Sequence, residues 1–189
     1  MAPVAIKSQM RGAKSLLAAK FGLGLILAAI LSPSAGAETM SGDAQIAIVR
    51  PLSFIEVDNL DFGDIIPSNT TSRVTLTPAG VRTATGGAVL VGNDHQAARF
   101  AGMGSVLQRV RIRITPNSIP LTGPGPAMTV DNWTIDPQGT LLQLGASPNY
   151  IILPLNGVFW FRVGGRLTVG ANQPAGRYSG TFNATLDYQ

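Results

Sequence analysis

Short runs in which apolar and polar residues alternate recur along residues 43–189, and glycine or proline separates them. Alternation with a period of two residues is typical of a β-strand with one buried face. Helical periodicity is nearly absent from this part of the chain. Many short strands with glycine- and proline-rich turns predict an all-β chain folded as an antiparallel β-sandwich. The predicted strands are 46–54, 60–66, 73–76, 88–91, 96–100, 106–115, 128–136, 140–144, 150–155, 157–169 and 178–189.

The first 37 residues have the pattern of an export signal. The basic residues at its start are Lys7, Arg11, Lys14 and Lys20, with no acidic residue among them. The apolar stretch 21–31 is too short to span a bilayer, which takes about 20 apolar residues. The small residues "SPSAGA" follow, as before a signal-peptidase cleavage site. We therefore expect residues 1–37 to be a signal peptide and 38–189 to be one secreted domain without a membrane span.

Charge and cysteine content exclude several function classes. The signal holds four of the 14 basic residues and none of the 10 acidic ones, so positive and negative side chains balance in 38–189. A neutral domain has no general electrostatic attraction for nucleic acid. The chain has no cysteine, which excludes disulfides, thiolate metal sites and cysteine nucleophiles.

Residues that could carry catalysis are few. His95 is the only histidine, and metal and triad sites need partners for it. Four acidic residues lie within nine positions, but they lack the regular spacing of a calcium loop. They are Glu56, Asp58, Asp61 and Asp64. No nucleophile-elbow or phosphate-loop motif occurs in the sequence. We expect no enzymatic activity, no cofactor and no metal.

Three arginines two residues apart share one face of a predicted strand: Arg109, Arg111 and Arg113. Guanidinium groups in a row suit a sulfated or acidic polysaccharide. The alternative is a solvated sheet face whose arginines pair with acids on neighbouring strands. The neutral balance of the domain favours the alternative.

Two tryptophans are candidates for stacking against sugar rings. Trp160 lies between Phe159 and Phe161, which point to the opposite face of the same strand. At least one face of that strand must be packed, so burial in the core is the prediction for most of these rings, Trp133 included.

The segment 38–50 allows two interpretations. Ala44, Ile46 and Ile48 alternate with more polar or smaller residues, as in a strand with one buried face. Such a strand either donates itself to a neighbouring molecule or forms the first strand of its own sandwich. Pro51 would end pairing at this point in the donor interpretation.

The C-terminal run has the cleanest alternation in the chain. Tyr178, Phe182, Leu186 and Tyr188 share an apolar face, and the residues between them are polar or small. We predict a core strand with its apolar face inward, which also takes part in any assembly.

Three stretches resemble a known family. "RPLSFIEVDNLDFGDIIP" near the expected mature N-terminus, "VGGRLTV" at 163–169 and "PAGRYSGTFNATLDYQ" at the end are similar to the secreted bacterial domain of unknown function 4402. The closing motif also resembles spore-coat-U-type and chaperone–usher pilin domains. The resemblance implies an immunoglobulin-like sandwich and a location at the surface of a Gram-negative bacterium. Many such pilins have a disulfide, and this chain departs from them in having no cysteine.

Two functions follow as expectations. The first is a structural subunit of a surface fibre or adhesive assembly, exported through the periplasm, with self-association, a periplasmic chaperone and an usher as partners. In it, an extended segment of one subunit completes the sandwich of the next. The second is a monomeric secreted module that binds a polysaccharide or another surface ligand.

Overall fold

The computed structural model describes residues 43–145 and 148–189, which contain β-strands and no α-helix. Residues 46–189 form one compact unit, and residues 43–45, taken by themselves, are exposed and in no strand. The predicted signal peptide, 1–37, and residues 38–42 of the predicted arm lie outside the described residues. The strands are β1 Ser53–Asp58, β2 Asp64–Ile66, β3 Ser72–Leu76, β4 Arg82–Thr85, β5 Val89–Val91, β6 Ala98–Met103, β7 Arg109–Thr115, β8 Ile119–Leu121, β9 Met128–Gly139, β10 Leu141–Gln143, β11 Asn149–Ile152, β12 Val158–Val169 and β13 Asn183–Tyr188.

The long strand β12 is the centre of the largest sheet, and all its pairings are antiparallel. One of its edges pairs with β9. The other edge pairs with β6 through residues 158–163 and with β3 through residues 165–169. β1 extends this sheet beyond β6, β4 extends it beyond β3, and β8 pairs with β9. A second sheet has the order β10-β11-β7-β13, and β2 pairs with β5 in a third.

The two larger sheets pack face to face around a shared apolar core. Phe100 and Phe161 from the large sheet stack with ring centroids 5.0 Å apart. Val110 and Ile112 of β7 reach the same cluster from the second sheet. Burial from both sheets in one cluster defines a sandwich, so the all-β, antiparallel-sandwich prediction is confirmed. A second cluster lies under the other half of β12 and contains Phe62, Val74, Leu76, Ile119, Val130, Leu167 and Val169.

Several strands differ from the sequence prediction in their bounds. β4 and β8 were not predicted, because three or four residues carry too little alternation to be recognised. The predicted strand 46–54 is irregular up to residue 52. The C-terminal strand begins at Asn183 instead of at 178, and a single bridge from Ser179 to Thr122 precedes it. Within the described part of the chain, no helix has the length and apolarity to cross a membrane.

One arginine ties the small sheet to the large one. The Arg82 guanidinium, at the start of β4, donates hydrogen bonds from Nη1 to the carbonyl oxygens of Phe62 and Asp64, at 2.6 and 3.3 Å. Its Nη2 donates to those of Val91 and Gly92, at 3.0 and 2.9 Å. Four main-chain acceptors from two separate segments therefore depend on one side chain.

Replacing Arg82 by methionine should lower the free energy of unfolding by about 2 kcal/mol, because the change keeps the aliphatic stem and removes charged donors. Urea denaturation followed by circular dichroism measures the loss. Arg73→Met is the matched control, since Arg73 is exposed on the neighbouring strand β3 and should change stability by less than about 0.5 kcal/mol. Equal losses in the two variants would contradict a bridging role for Arg82.

Candidate functional site

Residues 46–50, which precede β1, pair with no described strand. Ile46 and Ile48 are 88% and 91% exposed. Ala44, described by itself, is also exposed and outside any strand. Apolar side chains normally lose most of their exposure in a folded chain. Residues 46–49 therefore form an apolar arm whose two isoleucine side chains stay almost fully exposed.

The arm is attached to the sandwich at its C-terminal end. The Arg50 amide donates a hydrogen bond to Oγ of Ser105, in the loop after β6. The carbonyl oxygen of Arg50 accepts one from the Tyr188 hydroxyl, at 2.9 Å, and that hydroxyl accepts another from the Ser105 amide, at 2.8 Å. Pro51 follows and has no amide hydrogen to donate to a ladder. The root of the arm is therefore held against the last residue of β13.

The strand β13 has hydrogen-bonded neighbours on one edge only. It pairs with β7 from Asn183–Thr115 to Tyr188–Val110, and no other described strand pairs with it. Phe182, just before β13, and the β13 residues Ala184, Leu186 and Tyr188 pack against the main core but are only half-buried. An edge strand with half-buried apolar side chains leaves both main-chain groups and apolar surface without partners.

A side chain of β1 and one from just before β13 meet at the same core ring. Phe54 of β1 contacts Phe100 at a ring-centroid distance of 6.1 Å, and Phe182 contacts the same ring at 6.3 Å. Phe100 and Phe161 beneath them are buried, whereas Phe54 and Phe182 are half-buried. We call this region, bounded by β1 and β13 and floored by the phenylalanines, the open seam.

Of the predicted C-terminal residues, Tyr178 alone lies away from the open seam. Its hydroxyl donates a hydrogen bond to the Pro174 carbonyl oxygen, at 2.9 Å, within the turn before the last segment. Next to it the chain passes close to β8: Ser179 exchanges two main-chain hydrogen bonds with Thr122, and a Cβ on Gly180 would meet the Pro120 carbonyl oxygen and Leu121.

The three arginines of β7 point to the outer face of the second sheet, as the alternation predicted. Arg113 pairs with Asp187 of β13, at 3.0 Å, and the two side chains are about half exposed. Nε of Arg111 donates a hydrogen bond to Oδ1 of Asn149, at 3.4 Å. Arg109 is exposed. Since an acid and an amide on neighbouring strands occupy two of the three guanidinium groups, the arrangement matches a solvated, paired sheet face.

The candidate catalytic residues are dispersed. Nε2 of His95 lies 3.1 Å from the Gly80 carbonyl oxygen. Asp58 pairs with Arg99 at 2.8 Å, and Oδ1 of Asp61 accepts a hydrogen bond from the Gly63 amide at 2.7 Å. Among residues 43–145 and 148–189, no three histidine, cysteine or acidic side chains are placed to hold a metal ion.

One strong ion pair lies elsewhere on the large sheet. Arg166 of β12 donates two hydrogen bonds to the Asp131 carboxylate of β9, at 2.9 and 3.2 Å. These hydrogen bonds, and then the negative charge of Asp131, raise the pKa of Arg166 above its already high usual value. Because arginine is charged at any physiological pH, the pair fixes the two strands together and does not act as a switch.

The two tryptophans have different positions. Trp133 contacts both core clusters and donates a hydrogen bond from Nε1 to the Pro116 carbonyl oxygen, at 3.1 Å. Trp160 points to the outer face of the large sheet and is 41% exposed, so it is an exception to the burial predicted for most of these rings. Sequence alternation shows that Trp160 and the phenylalanines beside it face opposite ways, but it does not show which face is inside.

Comparisons with known proteins identify one family and name no function. The family model described as "Domain of unknown function (DUF4402)" matches residues 52–188. No curated protein and no solved structure matches the chain. The match begins one residue after Pro51, so it covers the sandwich and leaves out the apolar arm.

Proposed function

This chain belongs to the DUF4402 family of domains of unknown function, and from its geometry we propose that it is a non-enzymatic structural subunit of a pilus-like or adhesive assembly at the cell surface. The observation that supports the proposal best is the exposure of Ile46 and Ile48 on a segment with no strand partner among the described residues. The arm would lose its apolar exposure in another copy of the chain.

The open seam offers the complementary surface. An extended segment can add to an unpaired sheet edge through main-chain hydrogen bonds, while alternate side chains enter pockets below. Along the outer edge of β13 the alternate inward positions are apolar, and Phe54 of β1 lies across the seam from them. The spacing of Ala44, Ile46 and Ile48 puts three apolar side chains on one face of such a strand, two residues apart.

The expected energies are large enough to hold subunits together. Burying an isoleucine side chain fully contributes about 1.5–3 kcal/mol, and ladder hydrogen bonds add about 1 kcal/mol each.

The open seam also accounts for the two other partners that we propose, a chaperone and an usher. An unpaired apolar edge promotes aggregation, so a periplasmic chaperone would cover the seam in transit, and an usher would deliver the subunit to the surface.

The test is the association state of the secreted chain, residues 38–189, by analytical ultracentrifugation over a range of concentrations. We expect the wild-type chain to form oligomers and the double variant Ile46→Ser, Ile48→Ser to be a monomer. Ala47→Ser is the matched control, because it changes the same arm on the opposite face of an extended strand and should oligomerise like the wild type. A chain lacking residues 38–48 should be monomeric and keep the wild-type β-sheet circular dichroism spectrum.

Two results would contradict the proposal. One is a wild-type chain that stays monomeric at every concentration, and the other is a double variant that oligomerises as the wild type does. Loss of folding on removal of residues 38–48 would show instead that the arm stabilises its own sandwich, as the other interpretation of this segment holds.

A further inference from the structure

The outer face of the large sheet has an exposed row of side chains, separate from the arm and from the open seam. The register places Ile55 of β1, Ala101 of β6, Trp160 of β12 and Gln138 of β9 directly beside one another on this face. Ile55 is 68% exposed and Trp160 is 41% exposed. An exposed apolar surface with a polar rim on a folded domain marks an interaction site.

The indole of Trp160 lies flat on the sheet. Gly139 has φ +68° and no side chain, and a Cβ at this position would lie 3.0, 3.1 and 3.2 Å from ring atoms Cζ3, Cη2 and Cε3. Nearly equal distances to three consecutive ring atoms put that point over the face of the ring, not at its edge. One face of the indole therefore covers Gly139, and the opposite face is directed away from it.

Polar groups that can donate and accept hydrogen bonds surround this ring. Gln138 is its cross-strand neighbour and donates a hydrogen bond from Nε2 to Oδ2 of Asp136. Arg162 is two residues further along β12 and lies opposite Asp136 in the register. On its other side Arg162 lies opposite Arg99 of β6, which is paired with Asp58, so these four residues form a second row beside that of Trp160. Two arginines and two aspartates share this row, so the surface is locally neutral.

We propose that this face binds a neutral glycan, with a sugar ring stacked on the exposed face of Trp160. The apolar C–H face of a pyranose matches a flat indole, and hydroxyl groups around the sugar ring both donate and accept hydrogen bonds. Asp136 accepts only, Arg162 donates only, and Gln138 does both, which matches hydroxyl groups better than the acceptor-only oxygens of a phosphate or sulfate. The site is on the outer face of the large sheet and is independent of the arm and the open seam.

The competing occupant of this face is a second copy of the chain. Met103, 51% exposed, and Ile55 extend the apolar surface toward the edge of the sheet, and tryptophan with arginine is typical of protein interfaces. The stacked pose and the neutral row of mixed donors and acceptors favour the glycan.

The proposal is tested by affinity gel electrophoresis of residues 38–189. The protein carries Ile46→Ser and Ile48→Ser in its arm, so that assembly through the arm does not interfere. The probes in the gel are laminarin, dextran, galactomannan and hydroxyethyl cellulose, with alginate as the anionic comparison. We expect at least one neutral polysaccharide to retard the protein, Trp160→Ala to weaken that retardation at least tenfold, and Trp160→Phe to weaken it less. Arg109→Ala, on the outer face of the other sheet, is the control and should bind like its parent.

The design separates binding from folding and from self-association. Trp160 lies outside the two core clusters, so Trp160→Ala should stay folded, with the circular dichroism spectrum of its parent and a cooperative thermal unfolding transition. The proposal is overturned if no neutral polysaccharide retards the protein, if Trp160→Ala is retarded like its parent, or if alginate alone retards it. Dimers that form without polysaccharide and disappear in Trp160→Ala would assign the face to a second copy of the chain and overturn it equally. None of these results depends on whether the arm polymerises.

Discussion

Replacing Phe161 by alanine is expected to lower the free energy of unfolding by about 3–5 kcal/mol, the range for the loss of a buried aromatic side chain. Phe161 is fully buried on β12 and stacks on Phe100 at 5.0 Å, with an angle of 17° between the ring planes. Phe54 lies 6.3 Å from the same ring, so the cavity would open between the two sheets. A domain of ordinary stability, about 5–15 kcal/mol, would lose a large part of it.

Urea denaturation of residues 38–189 measures this loss, and Phe182→Ala is the informative control. The sequence predicted Phe182 on the inward, apolar face of a core strand. The structure leaves Phe182 half-buried just before β13, so its replacement in the monomer should cost about half as much as that of Phe161. Equal losses would mean that the open seam is closed in solution.

Gly164→Ala should be the second most damaging change, at about 3 kcal/mol, the upper part of the range for overpacking. A Cβ on Gly164 would press directly on the Leu76 carbonyl oxygen and lie 2.8 Å from the Pro78 nitrogen. These are backbone atoms, so no side-chain rotation can relieve the contact. The position lies where the register between β12 and β9 shifts, which requires close approach of the neighbouring backbone.

The adjacent glycine is the matched control for this prediction. A Cβ on Gly165 would lie 3.2 Å from the Trp133 ring and from Val130, and side chains can move by a few tenths of an ångström. Gly165→Ala should therefore cost less than half as much as Gly164→Ala, by thermal and urea unfolding. The reverse order would contradict the described register of β12.

The strands that the sequence predicted best are those with partners on both sides. Val110, Ile112 and Ile114 of β7 are buried and the arginines between them face outward, because β11 and β13 hold the strand on both edges and the core covers one face.

The sequence could not determine the arm in the same way. Alternation at Ala44, Ile46 and Ile48 indicates a strand with one buried face, but the pattern does not identify which strand pairs with this segment. In the described residues no strand does. The orientation of Trp160 was also undetermined, because alternation assigns residues to two faces, and it is the packing of the second sheet, through Val110 and Ile112, on the side of Phe161 that decides which face is inside.

The pairing of β12 also sets the order in which the sheet can be completed during folding. β3 with β4 and β8 with β9 are local hairpins, and β1 with β6 is a separate pair. Among the described strands, β12 alone joins these three units, and it comes after all of them in the chain. Closing such long loops costs conformational entropy before the compensating contacts have formed. Sandwiches with many distant pairings therefore fold in milliseconds to seconds. During synthesis, which starts at the N-terminus, these strand pairs of the large sheet therefore remain separate and only marginally stable until residues 158–169 have been made.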